Sequence, residues 1–157
     1  MEHPDDMILH LPDPTGARRW CSRQRASQRS IGFVPTMGAL HEGHLSLVRR
    51  SLEENGVTCA SIFVNPLQFN DSGDFSNYPK DIDSDLQLLQ EIGCDMVFSG
   101  TLGQFFPEAE DLDKIELADP GPHALGLEGA HRPSHFHGVR AICERLFRTV
   151  GPGRAYF

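Results

Sequence analysis

The 157-residue sequence has no apolar run long enough to cross a bilayer. Its opening residues, Met1-Glu2-His3-Pro4-Asp5-Asp6, are acidic where a secretory leader would be basic and then apolar. The expectation is a soluble, cytoplasmic protein with no membrane partner. Positive charge is also scarce: 14 lysines and arginines against 22 aspartates and glutamates give a formal net charge of -8, with the acids spread along the chain. Nucleic-acid binders usually carry a basic face that neutralises phosphates, so that class is disfavoured. A small polyanionic substrate is still compatible, because a local positive site can exist on an acidic protein. Cys21, Cys59, Cys94 and Cys143 include no C-x-x-C pair, which excludes a zinc ribbon or a dithiol redox motif and leaves free thiols. Internal repeats, low-complexity tracts and any defensible Ser-His-Asp or Cys-His set are missing too.

What is present suits one globular unit, since 39% of the residues are hydrophobic. Residues 1 to 30 read as a polar lead-in with one short helix over Ala17 to Ala26. Its Arg18, Arg19, Arg23, Arg25 and Arg29 read as a solvated face. Ser30 to Val34 is a short apolar run closed by Pro35, and Val57 to Val64 is a second, rich in β-branched and small residues; both read as buried strands. Between them Leu45, Val48 and Leu52 recur at helical spacing up to Asn55-Gly56, a helix stop. A polar loop over Asn70 to Asn77, a helix marked by Ile82, Leu86 and Leu89, and a third strand over Asp95 to Phe98 follow. Lys114 to Leu117 reads as a short extra strand, and Ala118 to His135 as a long loop of the kind that often carries function. Val139, Ile142, Cys143, Leu146, Phe147 and Val150 form the clearest helical stripe, and Arg154 to Phe157 reads as another buried strand. Alternating strands and helices imply an α/β fold with a parallel sheet, whose ligands bind beyond the carboxyl ends of its strands. The loops at Pro35, Asn65 and Phe98 sit at that edge.

The first of these loops carries His41 and His44, three apart at a helix start and able to share one face. Amides at a helix start are unpaired and attract phosphate, and imidazoles add donors for the same oxygens. The loop therefore suits a triphosphate, with His44 and His41 as catalytic candidates; the bland alternative is that His41 caps the helix and His44 is a surface residue. At the second loop, Gln68 offers two donors and an acceptor to a small polar acid, whereas Asn65 could equally be a turn residue.

The stretch Gly32-Phe33-Val34-Pro35-Thr36-Met37-Gly38-Ala39-Leu40-His41-Glu42-Gly43-His44 resembles the signature of pantothenate synthetases, members of the H-x-G-H nucleotidylyltransferase superfamily. Three further segments are similar to that family in order and spacing: 61–69 (SIFVNPLQF), 78–86 (YPKDIDSDL) and 127–139 (LEGAHRPSHFHGV). The resemblance implies a Rossmann-like parallel sheet flanked by helices. It implies ATP-dependent joining of pantoate to β-alanine through a pantoyl adenylate, with Mg²⁺ and a possible homodimer. It assigns ATP contacts to Pro35, Thr36, Met37, Gly38, His41, Gly43 and His44, pantoate contacts to Gln68, Asn65, Arg132 and His135, and a metal contact to Asp85. Lys80 stands where the family usually has arginine, which keeps the charge but not a bidentate contact. The family continues beyond the strand that matches Arg154 to Phe157 with a G-x-K-D-x-Q-Q loop and a carboxyl-terminal domain. The expectation is thus an incomplete nucleotide- and pantoate-binding domain over residues 1–157, truncated after about the first half of the family fold. The competing readings are an inactive remnant that binds nucleotide or pantoate, another H-x-G-H nucleotidyltransferase, and a zinc protein using His131, His135 and His137.

Overall fold

A computed structural model describes residues 7–117, 119–126, 129, 132 and 134–157. Five parallel strands form one sheet in the order β1-β4-β3-β2-β5. They are β1 (Leu9–Leu11), β2 (Ile31–Thr36), β3 (Val57–Ile62), β4 (Met96–Phe98) and β5 (Arg154–Ala155). The helices are α1 (Pro14–Ala26), α2 (Glu42–Glu54), α3 (Ser72–Asn77), α4 (Ile82–Glu91), α5 (Leu102–Phe105) and α6 (His135–Val150).

Every residue of β3 is buried, as expected of a central parallel strand covered on both faces. One face holds Phe33, Cys59, Met96 and Phe98 against Ala17 and Cys21 of α1 and Ile142, Leu146 and Val150 of α6. The other holds Val34, Ala60, Ile62 and Val97 against Leu45 and Val48 of α2 and Leu89 of α4. Because alternate residues of a strand face opposite ways, the two cores share strands and no side chains. This is the α/β arrangement that the alternating pattern implies.

Several boundaries differ from the sequence reading. Strand β2 runs on through Pro35 and Thr36, in register with Ser61 and Ile62. Proline is tolerated there because the Phe33 carbonyl takes the last bond from β5, the Tyr156 N–H at 2.9 Å. Two residues on, the missing Pro35 N–H faces the same side, beyond that bond. Residues 9–11, read as lead-in, form the edge strand β1 against Met96–Phe98; a three-residue strand is too short to show a period. Residues 72–77, read as loop, are α3, capped by Asp71. Lys114 to Leu117 is not a strand: a 3₁₀ turn over Leu112–Lys114, capped by Asp111, occupies its start. Arg154 to Phe157 is not buried either, with β5 exposed and Phe157 74% exposed.

Helix α6 packs its first turns on a 3₁₀ turn, Pro66–Gln68, at the end of β3. The contact is close because Gly138 has no side chain: a Cβ there would lie 2.1 Å from the Leu67 carbonyl oxygen. That packing brings the start of α6 to the carboxyl edge of the sheet.

Candidate functional site

A cavity of about 220 Å³ opens at that edge, lined by Pro35, Thr36 and Met37 after β2, His44 of α2, and Phe63, Asn65 and Gln68 after β3. Tyr78 closes one side, and Val139, Ile142, Cys143 and Leu146 of α6 the other. Six of these, Pro35, Thr36, Met37, His44, Asn65 and Gln68, are residues singled out in the sequence for ATP or for pantoate, now brought into one space.

The β2–α2 loop is built from within. The Thr36 hydroxyl donates to the Ser61 carbonyl at 2.7 Å and accepts the Gly38 N–H at 3.1 Å. Asp85, at the first turn of α4, accepts the Ala39 N–H at 3.0 Å and the Leu40 N–H at 2.9 Å. His41 caps α2 by accepting the Gly43 N–H on Nδ1 at 3.0 Å, and His44 Nδ1 accepts the His41 N–H at 3.2 Å. The glycine between the histidines follows from this packing, since a Cβ at Gly43 would lie 2.7 Å from the His41 ring. Amides 38 to 41 and 43 thus have internal acceptors, in contrast to the open helix start expected from sequence.

The histidine contacts fix chemistry as well as shape. A ring nitrogen that accepts an N–H carries no proton, so each neutral imidazole holds its proton on Nε2. The rings lie 4.1 Å apart between centroids, presenting two neighbouring Nε2–H donors. Burial first, and then the neighbouring His41, lower the His44 pKa below its ordinary value, which favours the neutral donor at pH 7.

The substrate-side candidates are tied to one another. Asn65, 1% exposed, accepts the Leu67 N–H and donates to the Gly138 carbonyl at 3.0 Å and to Gln68 Oε1 at 3.2 Å. Gln68 lines the cavity, and its amide N–H donates to the Met37 sulfur at 3.0 Å. Arg132 and His135 reach the site through the main chain, both contacting the Gln68 carbonyl, at 3.3 and 2.9 Å. Arg132 also lies over the Phe69 ring, 5.7 Å from its centroid. Lys80 is placed in an adjoining depression with Gly38 and Asp85, its ammonium 4.6 Å from the Phe75 centroid.

Sequence reasoning missed Tyr78, Phe63 and Cys143 as lining residues. Tyr78 lay inside a quoted family segment, and Cys143 inside the helical stripe read as core. Burial raises the Cys143 thiol and, with Asp85, the Tyr78 phenol, so both remain protonated and neither is a poised nucleophile. Of the three histidines read as a zinc alternative, His131 lies outside the described residues. Among the described residues no group of three metal-ligating side chains converges.

The sequence model of the Pantoate-beta-alanine ligase family matches residues 11–157. Pantothenate synthetase of Cytophaga hutchinsonii is 47% identical over 136 residues, covering 87% of this chain and 47% of that protein. The Staphylococcus haemolyticus enzyme is 47% identical over 133 residues, covering 85% and 46%. The solved pantothenate synthetase of Thermus thermophilus superposes with a TM-score of 0.82 at 41% identity, covering 96% of this chain and 51% of that one. The pantoate-beta-alanine ligase of Francisella tularensis, complexed with β-γ ATP and β-alanine, also gives 0.82, at 34% identity, covering 95% and 56%. This chain therefore spans about half the length of the relatives it matches.

Proposed function

The chain belongs to the pantoate-beta-alanine ligase family, and from that premise we propose that it carries the nucleotide and pantoate side of an ATP-dependent ligase site. The pantoate carboxylate attacks the ATP α-phosphate, giving pantoyl adenylate and pyrophosphate. The β-alanine amine then attacks the acyl carbon and displaces AMP. The observation that carries this reading is that His44 and Gln68 line one cavity, with the His41 ring stacked beside that of His44. His44 and His41 donate to phosphate oxygens as charge builds on the leaving pyrophosphate. Gln68, held by Asn65, orients pantoate, and Arg132 and His135 act by fixing the backbone of Gln68. Pro35, Thr36, Met37, Gly38 and Gly43 shape the ATP-facing wall. Positioning and fixed donors supply the catalysis, and no covalent enzyme intermediate is needed.

Magnesium in this reading enters with the nucleotide, its ligands the phosphate oxygens and water. Asp85 is 4% exposed and gives one lone pair of each oxygen to a loop amide, so this reading assigns it to the loop and not to the metal. Residues 1–157 act here as one Rossmann-like domain of a cytoplasmic biosynthetic enzyme.

One observation favours a second reading, a module that binds nucleotide and pantoate without turning them over. Among the described residues lining the cavity there is no lysine or arginine, and Lys80 lines the adjoining depression instead. Pantoate-dependent exchange of labelled pyrophosphate into ATP separates the two. The first reading expects exchange that falls about 100- to 1,000-fold in His44→Ala. Binding of pantoate and ATP by the folded chain with no exchange would establish the second, and no binding of either would overturn both.

A further inference from the structure

We propose that Asp85 is a positioning residue for the His41–His44 pair, a role that rests on the function read above and that differs from metal binding. The loop it grips is not one the backbone adopts freely. Gly38 takes φ +80° without strain, but Ala39, a non-glycine residue, has φ +50°, and such backbone persists only where the surroundings over-determine it. Asp85 supplies that constraint from 46 residues away, one carboxylate oxygen on each of two successive amides. The next amide in the chain is that of His41, bonded to the His44 ring. The series is therefore continuous: carboxylate to Ala39 and Leu40, His41 to His44, His41 ring to Gly43.

Shape and charge agree with this role. Asp85 is 4% exposed, and a Cβ at Gly38 would lie 2.9 Å from its Oδ2, so the carboxylate fills room that glycine leaves open. A buried carboxylate is costly unless it is hydrogen-bonded, and here the two loop amides serve it while it serves the loop. The Asp85 carboxylate bonds the loop amides and not the imidazole rings, so it acts through the loop.

The test is amide hydrogen exchange by NMR on the wild-type chain and on Asp85→Asn, with pyrophosphate exchange as the functional arm. In the wild type, Ala39 and Leu40 should exchange slowly although they lie in a loop. Asparagine keeps the shape but replaces one acceptor by a donor, so exchange at one or both amides should accelerate about tenfold or more while β3 amides stay unchanged. The close ring contact of His41 and His44 should weaken with it. In the functional arm, kcat should fall about 10- to 100-fold with the ATP KM and the Mg²⁺ dependence little moved. Free exchange of both wild-type amides overturns the proposal even if no variant folds. An unchanged kcat overturns it too, and so does a raised Mg²⁺ requirement, which would make Asp85 a metal contact. If the wild type shows no pyrophosphate exchange, the functional reading fails by itself. The clamp is then judged by amide protection and ring contact: retained contact in Asp85→Asn overturns it and lost contact supports it.

Discussion

The site has two sides of different construction. The β2–α2 loop is contained in its own sequence and one anchor: Thr36, Asp85 and the histidine rings satisfy its amides, and Gly38 and Gly43 make the room. The side formed by the Pro66–Gln68 turn and the start of α6 exists only through long-range contact. Asn65 there bonds Gly138, and Arg132 and His135 bond the Gln68 carbonyl, from 64 to 73 residues away. The first side should therefore fail locally when altered, whereas the second should fail by separating two elements.

The sharpest way to break that contrast is Gly138→Val, which places side-chain atoms into the Leu67 carbonyl. We expect destabilisation of about 3 kcal/mol, read as a lower denaturant midpoint, with pantoate binding weakened more than ATP binding. Asn65→Ala tests the same side more gently. It leaves the Leu67 N–H and the Gly138 carbonyl without their partner, at about 2 kcal/mol in chemical denaturation.

Gly43→Ala addresses the loop. The added methyl displaces the His41 ring and with it the helix cap, so stability should fall only about 1 kcal/mol. Pyrophosphate exchange should nonetheless drop about tenfold or more, because the donors move. A variant that loses stability and activity in proportion would contradict a local role.

The smallest effect is with pH. The His44 pKa is lowered from an ordinary value of 6.5, so the unfolded ring binds a proton at higher pH than the folded one does. The stability contributed by the neutral ring is present above pH 6.5 and is lost as pH falls through that value toward the lower folded pKa. Protonation also removes the Nδ1 acceptor for the His41 N–H. The stability advantage of wild type over His44→Ala should shrink between pH 7 and 5, and a constant advantage would count against the tautomer argument.

The same contrast governs what could be read in the sequence. The α/β pattern, α2, β3 and the loop with its two histidines were legible because each signal is local: an apolar run, a helical stripe, an H-x-G-H spacing. Gln68 and Asn65 were legible as chemistry at a strand end, but the role of Asn65 in joining Gln68 to α6 needed the tertiary contact. Strand β1 was missed because three residues carry no period and its partner lies almost 90 positions later. The reading of β2 stopped at Pro35 because proline usually ends a strand, and only the neighbour order shows that its missing donor costs nothing there. For Asp85, the sequence offered an acidic residue near a phosphate site; its two amide partners are visible only once α4 is packed beneath the loop.

The most direct test of the account is an NMR titration of the labelled chain, first with MgATP and then with pantoate, following backbone amides and histidine side chains. If the two sides form one substrate site, MgATP should shift residues 36–44 together with the His41 and His44 rings, and pantoate should shift Gln68 and the start of α6. Shifts confined to residues remote from the cavity, or none with either ligand in a folded chain, would contradict it.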